Sequence, residues 1–145
     1  MYVNSNSNPA NNAPADTFKI NLEWEHFALI LSPDDPKIAN PFKTAIDDFN
    51  REYYSNESFS ISSNLFGTAQ QMILVKKFPD AKEAYGYIEN LKNASKIYAG
   101  NIKKEAFTFL IISSVNLPHF YKKSNVPAYQ TFFDEAYKTV IQQPK

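Results

Sequence analysis

Residues 74–92, LVKKFPDAKEAYGYIENLK, change their hydrophobic pattern halfway along. The first part is an apolar run that ends at Phe78-Pro79-Asp80, which predicts a strand followed by a turn. Asp80 and Glu83 then have the spacing of a capping box, which marks the start of a helix. Residues at helical spacing form the predicted inner face of this helix: Ala81, Ala84, Tyr85, Ile88 and Leu91. This stretch therefore joins a strand directly to an amphipathic helix.

The rest of the chain extends this pattern to the order β-α-β-β-α-β. HFALIL (26–31) is a near-continuous apolar run, which is typical of a central strand. Asn40 as N-cap and Pro41 at the first helical position predict the start of the first helix. Its predicted buried stripe is Phe42, Ile46, Phe49 and Tyr53, and the remaining strands are predicted at 59–65, 70–78 and 105–113.

This order is that of the ferredoxin-like split unit, an α+β fold. Right-handed crossovers place strands one and three at the centre of an antiparallel sheet, with both helices on one face. The hairpin register depends on the turn around Gly67, because a slip of one residue exchanges the two faces. The sequence leaves open which residues of the third strand face the helices.

Segments at both ends flank this domain. Residues 1–22 are rich in Asn, Ser, Pro and Ala and are expected to form a disordered linker. The βαββαβ domain is expected over 23–114, and 115–145 as a C-terminal extension. Within the extension, 116–127 is expected to be a loop. A helix should follow and cover part of the sheet: its stripe is Tyr129, Phe132, Phe133, Ala136, Tyr137 and Val140.

Composition limits the partners and chemistry. Fifteen basic and fifteen acidic residues cancel, so no global field favours nucleic acid. Cysteine is absent, which excludes disulfides, thiolate nucleophiles and Cys-based zinc sites. No apolar run approaches the roughly 20 residues that span a bilayer, so direct membrane insertion is not expected. The N-terminus lacks a signal-peptide pattern, and we expect a fragment of a longer protein.

Catalytic patterns are sparse. His26 and His119 have no second metal ligand at helical or hairpin spacing. The adjacent carboxylates Asp47 and Asp48 do not face each other on a helix, so solvation explains them better than catalysis. Neither GxGxxG, GxxxxGK nor GxSxG occurs. We therefore expect no enzymatic activity, no metal site and no cofactor.

The residues YGYI (85–88) suggest an RNA-binding RRM motif, whose fold has the same element order. In RRM domains the stacking aromatics lie on the third strand. Here YGYI lies on the predicted second helix, and QQMILVKK (70–77) contains no aromatic residue. RNA binding is therefore not expected. Gly86 within the helix is expected to permit close approach of the helix to the sheet.

Candidate ligand-binding residues lie on the second and third strands. Ser60, Ser62 and Asn64 alternate with apolar residues and could form a polar ladder on one face. Lys76 and Lys77 could meet an anionic glycan or an acidic partner. Ordinary exposure of an edge strand and of solvated lysines is the simpler explanation for both groups.

Residues 75–92 resemble the second half of a SPOR domain, in which a strand ends in a Gly-Pro-Phe-like turn before a helix with an early Glu-Ala. Val75, Phe78, Glu83 and Ala84 match this pattern. Lys76-Lys77 stands where that pattern has Gly-Pro, and HFALILS lacks the usual Gln-x-Gly. The resemblance implies binding of peptidoglycan glycan strands on the sheet face.

A wider resemblance covers most of residues 26–137. HFALIL, AIDDFNREYYS, QMILVKKFPDAKEA, IYAG and FLIISSVNLPHFYKKSNVPAYQTFFDEAY occur in this order. Together they resemble the C-terminal domain of Bacteroidetes tetratricopeptide-repeat envelope lipoproteins, which are associated with gliding motility and type IX secretion. The resemblance implies a periplasmic module, tethered to the outer membrane through an upstream lipidated region.

Two functions remain open from the sequence. One is a non-enzymatic docking module that binds a protein partner within an envelope complex. The other is SPOR-type binding of peptidoglycan glycan. An uncovered polar sheet groove would favour glycan, whereas a buried sheet would favour protein.

Overall fold

The computed structural model describes residues 18–98 and 103–137, and it confirms the predicted α+β class. Four antiparallel strands form one sheet in the order β2-β3-β1-β4, so the first and third strands are central, as predicted. The order of elements is compatible with a ferredoxin-like fold. The strands are β1 (His26–Pro33), β2 (Ser60–Phe66), β3 (Gln70–Phe78) and β4 (Thr108–Ser113), and the first two helices are α1 (Pro36–Tyr53) and α2 (Ala81–Lys92).

The chain divides into two compact units. One is Leu22–Ser114, which contains the sheet, α1 and α2. The other combines Met1–Asn21 with Val115–Lys145, of which the structure describes 18–21 and 115–137. The predicted domain boundaries and the docking of the C-terminal helix on the sheet stay predictions. The expectations for residues 1–17 and for Val140 fall outside the described residues.

The loop predicted over 116–127 is wrong, because it contains a helix, α3 (Leu117–Lys123). Pro118 lies in the first turn of α3, where its missing N–H is tolerated, and Ser124 ends the helix in the left-handed region at φ 54°. The next helix, α4 (Val126–Ala136), begins where the Asn125 side chain accepts a hydrogen bond from the Ala128 N–H.

Residues from both ends of the sequence pack together in this smaller unit. The Phe18 ring lies 4.9 Å from the Tyr129 ring and 5.0 Å from the His119 ring, between centroids. The buried Asn116 amide accepts from the Lys19 N–H at 2.9 Å and donates to the Lys19 carbonyl at 2.7 Å. The two hydrogen bonds fix the segment around Lys19 beside the start of α3.

Helix α1 begins earlier than the predicted Asn40–Pro41 start. Asp35 is the N-cap, its side chain accepts from the Lys37 N–H at 3.0 Å, and Pro36 occupies the first helical position. Pro41 therefore lies inside the helix. The sequence contains two N-cap and proline pairs five residues apart, and the earlier one begins the helix. The predicted stripe is largely correct, since Phe42, Ile46 and Phe49 are buried, but Tyr53 is exposed.

Helix α2 begins as predicted, with Asp80 accepting from the Glu83 N–H at 2.9 Å. The buried face of α2 differs from the predicted inner face at one position. Tyr87 is buried, together with Ala84 and Ile88, whereas Tyr85 is only half-buried. Tyr87 follows Ala84 by three residues, which places both side chains on the same side of the helix.

The strand register shows which residues face the helices. Lys43 of α1 lies 3.5 Å from the Ser63 hydroxyl, measured from Nζ to Oγ. Ser63 pairs with Ile73, and Ile73 with Ile30, so these residues share the helix-facing side. The alternate positions, which include Leu74, therefore occupy the opposite face. Gly67, at φ +64°, turns the chain between β2 and β3 and fixes this register.

Strand β4 is shorter than the predicted 105–113. Lys104–Ala106 form a single 3-10 turn, and the strand begins at Thr108. The Phe107 ring stacks on Phe42 of α1 with centroids 4.0 Å apart. This contact ties the start of β4 to the helical layer.

Candidate functional site

Four of the five predicted ligand-binding residues share one face of the sheet. Ser60 pairs with Lys76 across β2 and β3, and Ser62 and Asn64 follow at alternate positions on β2. Since Ser63 faces α1, these four residues occupy the face opposite the helices. Ser60 and Asn64 are exposed, and Ser62 and Lys76 are half-buried. We call these four residues the polar strip.

Lys77 is separated from the polar strip by an irregularity in the sheet. His26 pairs with Phe78 and Ala28 with Val75, so two residues of β3 lie opposite one residue of β1. Such a bulge changes the direction of the side chains that follow it. The Lys77 ammonium lies 3.6 Å from the Glu25 carboxylate, and both side chains are about half exposed.

The neighbouring positions on the face of the polar strip are apolar and buried. Leu74, which pairs with Ser62, is 5% exposed, and Met72, which pairs with Asn64, is 3% exposed. Leu29 of β1 and Leu110 of β4 are fully buried on the same face. The polar strip is therefore confined to the edge of the sheet and does not line an open polar groove.

Residues with catalytic potential are not brought together. Asp47 and Asp48 both form ion pairs with Arg51 on the surface of α1. His26 is buried, and its Nδ1 donates to the Trp24 carbonyl at 2.7 Å. Burial lowers the pKa of His26 below 6.5, since it disfavours the charged ring. The described residues contain no cluster of three His, Asp or Glu that could hold a metal ion.

None of the described helices combines the length and the apolar character needed to cross a bilayer.

A groove runs along the C-terminal half of α1, beside α2 and the 3-10 turn Ser95–Tyr98. Three connected hollows form it, with volumes of about 220, 480 and 380 Å³. The first and middle hollows share Phe49, Tyr53 and Ala94, and the middle and last share Tyr54 and Asn90. We call this surface the interhelix groove.

Aromatic side chains line the middle hollow. Tyr53 is 58% exposed, and its ring lies 5.0 Å from that of Phe49 between centroids. The Asn90 side chain donates from Nδ2 to the Tyr54 hydroxyl at 3.0 Å. The middle of the groove therefore presents aromatic surface beside an ordered amide and hydroxyl.

The last hollow has four aromatic residues in its lining, and we call it the aromatic hollow. Tyr87 forms its floor, and the rings of Tyr54, Phe59 and Phe78 lie 5.2, 5.3 and 5.1 Å from the Tyr87 ring between centroids. Its remaining lining residues are Glu57, Lys77, Pro79, Lys82, Glu83, Gly86 and Asn90. The hollow therefore has apolar walls with ionisable groups around them.

A buried hydrogen bond supports the floor of the aromatic hollow. The Tyr87 hydroxyl donates to Asn50 Oδ1 at 2.6 Å, and burial raises the pKa of Tyr87 well above its ordinary value. Asn50 is 8% exposed, and its Nδ2 has no hydrogen-bond partner among the described residues. A buried donor without an acceptor destabilises a fold, so this pair holds an energetic defect directly beneath the groove.

The structural role predicted for Gly86 is wrong. Gly86 is exposed, and a Cβ atom built on it would have no neighbour within 4 Å. The helix therefore does not need a glycine here to approach the sheet. Gly in an exposed helix interior costs about 1 kcal/mol relative to Ala. The glycine faces the aromatic hollow instead.

Sequence patterns did not reveal the interhelix groove. The groove combines residues 45–59, 77–90 and 94–97, and its shape depends on how two helices pack. Two local signals were present: the aromatic run Tyr53-Tyr54 at the end of a helical stripe, and the glycine within YGYI. Both lie on this surface.

Comparisons with protein-family models, with curated protein sequences and with solved structures found no match. The resemblances to SPOR domains and to envelope lipoproteins therefore stay predictions.

Proposed function

We propose that this chain is a non-enzymatic docking module that binds a protein partner through the interhelix groove. The observation that carries the proposal is the aromatic surface of the middle hollow, to which Tyr53 contributes an exposed ring. Tyrosine is enriched among the residues that contribute most to protein interfaces, since it offers a large apolar ring and a hydroxyl. Asn90 and Tyr54 supply hydrogen-bonding groups within the same hollow.

The burial of the sheet favours a protein partner over glycan. Glycan binding on the sheet requires an open face, and Leu74, Met72 and Leu29 are buried there. The interhelix groove lies on the helical layer instead, and the walls of its middle hollow are mainly aromatic and aliphatic. Such walls match the apolar centre of a protein interface.

The cellular setting in this proposal comes from the sequence resemblance. In this setting the chain is a periplasmic module of a secretion or gliding complex, and an upstream region tethers it to the outer membrane. The docking activity itself depends only on the groove and would hold in another compartment.

Glycan binding remains a second candidate because of one observation. The register brings Ser60, Ser62, Asn64 and Lys76 onto one face of the sheet edge, where three hydroxyl or amide groups and one ammonium are in line. This polar strip offers hydrogen bonds to a sugar chain, but no aromatic ring of the described residues lies between its members.

Affinity recovery from the producing cell tests the protein partner. The native chain and the Ser62→Ala variant are expected to retain one protein at near-stoichiometric yield. The Tyr53→Ala variant, which alters an exposed side chain, should lose it while keeping the native circular dichroism spectrum. Equal recovery by all three forms would contradict docking in the groove.

Co-sedimentation with peptidoglycan sacculi tests the second candidate. The protein proposal predicts that the chain stays in the supernatant, with or without amidase removal of the stem peptides. Pelleting that increases on stripped sacculi, and that is lost in a Ser60→Ala, Ser62→Ala, Asn64→Ala triple variant, would establish glycan recognition by the polar strip.

A further inference from the structure

One hydrogen bond in the middle hollow has a fixed direction. The Asn90 side chain donates from Nδ2 to the Tyr54 hydroxyl oxygen at 3.0 Å. An amide nitrogen only donates, so the Tyr54 oxygen is the acceptor in this bond and its own proton is available to another acceptor. Neither the Tyr54 hydroxyl nor Asn90 Oδ1 makes a second hydrogen bond among the described residues. The two side chains therefore present one donor, the Tyr54 O–H, and one acceptor, Asn90 Oδ1.

The surroundings of this donor and acceptor are uncharged. Tyr54 and Asn90 line the middle hollow together with Phe49, Tyr53 and Ala94, and none of these five residues carries a formal charge at neutral pH. Asn90 is exposed and Tyr54 is half-buried, so solvent reaches both side chains. A group that enters the hollow displaces this water and must supply an acceptor and a donor in its place. An uncharged polar group does so without the cost of desolvating a charge.

The partial charges of the donor and the acceptor are complementary to those of an extended main chain. In an extended segment the N–H and C=O of one residue point to the same side, as they do when two antiparallel strands pair. In a helix both groups are bonded within the helix itself. An extended segment therefore satisfies Tyr54 and Asn90 together, whereas a helical segment leaves them without partners.

We infer that the middle hollow recognises an extended segment of the protein partner through the main chain of one residue. Tyr54 donates to the C=O of that residue, and Asn90 Oδ1 accepts from its N–H. Asn90 is also a positioning residue, because its Nδ2 bonds to the Tyr54 oxygen and leaves the hydroxyl proton to the ligand. In such binding modes main-chain hydrogen bonds supply affinity and side-chain contacts, here with the exposed Tyr53 ring, supply specificity. This inference rests on the proposed function and names the form of the partner segment.

NMR titration with N-acetyl-leucine-N′-methylamide tests main-chain recognition. This uncharged probe presents the N–H and C=O of a single residue. The backbone amide signals of Tyr53, Tyr54, Asn90 and Ala94 should shift on titration. The depsipeptide analogue, in which an ester oxygen replaces the leucine N–H, should bind about fivefold more weakly, the size expected for one neutral hydrogen bond. A depsipeptide that binds as tightly as the amide would overturn the inference.

Two neighbouring tyrosines in the same hollow provide matched variants. Tyr54→Phe removes the hydroxyl that donates to the probe and should weaken binding of the amide probe by about fivefold. Tyr53→Phe removes a hydroxyl that makes no hydrogen bond among the described residues, and it should leave this binding unchanged. Urea titrations establish that both variants are folded. Equal binding by the two variants would contradict donation from Tyr54.

The role of Asn90 is tested by the ratio of the two affinities. Asn90→Leu removes Oδ1, so the preference for the amide over the depsipeptide should fall from about fivefold to about one. A merely structural role for Asn90 would weaken both probes equally and preserve the preference. A preserved preference would therefore refute acceptance by Asn90.

The remaining outcomes separate the inference from the proposed function. Chitotetraose that shifts the same amides more strongly than the peptide probe would replace the extended main chain by a sugar. If the peptide probe leaves these amides unchanged, main-chain recognition fails. Loss of partner recovery in Tyr53→Ala would then still support docking in the groove, through side-chain contacts alone.

Discussion

The interhelix groove and the polar strip are both exposed surfaces of the larger unit, but they differ in how well the fold explains them. The polar strip occupies an edge strand, where alternate positions meet solvent and serine and asparagine are ordinary. The groove contains an exposed Tyr53, a helical Gly86 with no packing role, and an unpaired Asn50 Nδ2 beneath it. Packing and solvation explain the residues of the polar strip, but they do not explain these three features of the groove.

This difference shows why the groove is the better candidate for binding. Features that reduce stability without a structural benefit are expected where a protein is adapted to a partner. Polar residues on an edge strand also protect the edge from pairing with other chains, which is sufficient reason for their presence. The polar strip was predicted from the chemical type of its side chains. Side-chain type alone does not distinguish a binding surface from an ordinary solvated edge strand.

The largest expected effect concerns the floor of the groove. Tyr87→Ala removes a buried ring that contacts four others and should lower the free energy of unfolding by roughly 3–5 kcal/mol. Tyr53→Ala is the matched control on the exposed wall of the groove. It should change the free energy of unfolding by less than about 1 kcal/mol. Urea unfolding measures both. Similar losses for the two variants would mean that Tyr53 is a structural residue rather than available contact surface.

The hydrogen bond under the groove gives a smaller effect. Tyr87→Phe leaves both ends of the Asn50 amide without a partner and should lower the free energy of unfolding by about 1–3 kcal/mol. Asn50→Leu alone leaves the Tyr87 hydroxyl without its hydrogen-bond partner. The double variant, with both Tyr87→Phe and Asn50→Leu, removes both polar groups. The double loss should therefore be less than the sum of the single losses. Additive losses would show that the two groups do not interact.

The pH dependence of stability tests His26, which pairs across the sheet with Phe78 of the aromatic hollow. Burial lowers the pKa of His26 below 6.5, so the unfolded chain binds this proton more readily. Its contribution is fully present above pH 6.5 and is lost as pH falls towards the folded-state pKa. The slope is at most about 1.4 kcal/mol per pH unit. His26→Gln should remove this component from denaturant titrations below pH 6.5, and an unchanged slope would refute it.

The smallest effect is expected in the polar strip. Each of Ser60→Ala, Ser62→Ala and Asn64→Ala should change the free energy of unfolding by no more than about 0.5 kcal/mol, because Ser60 and Asn64 are exposed and Ser62 is only half-buried. Partner recovery should also be unchanged in the triple variant. Loss of recovery in a folded triple variant would move the binding surface from the groove to the sheet edge.

The fold was largely predictable because its signals are local. Asp80 and Glu83 marked the start of α2, and the apolar runs at 26–31 and 70–78 marked the two central strands. The start of α1 was missed because Asp35-Pro36 and Asn40-Pro41 carry the same start signal. The helix over Leu117–Lys123 was missed because Pro118 in its first turn, Pro127 after it and the polar residues around them are typical of a loop.

The candidate site was far less predictable. The alternation of Ser60, Ser62 and Asn64 correctly placed them on one face, since side-chain direction in a strand follows from sequence position. The groove depends on contacts between residues distant in sequence, such as Tyr54 with Asn90 and Asn50 with Tyr87. Whether Gly86 faces the sheet or solvent also depends on the rotation of α2 about its axis, which a short stripe defines only approximately.

Site-specific photo-crosslinking in the producing cell tests the central claim most directly. A benzophenone amino acid replaces Tyr53 in the interhelix groove in one form and Ser62 in the polar strip in the other. We expect the form labelled at position 53 to give one discrete protein adduct, and the form labelled at position 62 to give none. A protein adduct from position 62 with none from position 53 would contradict docking in the groove.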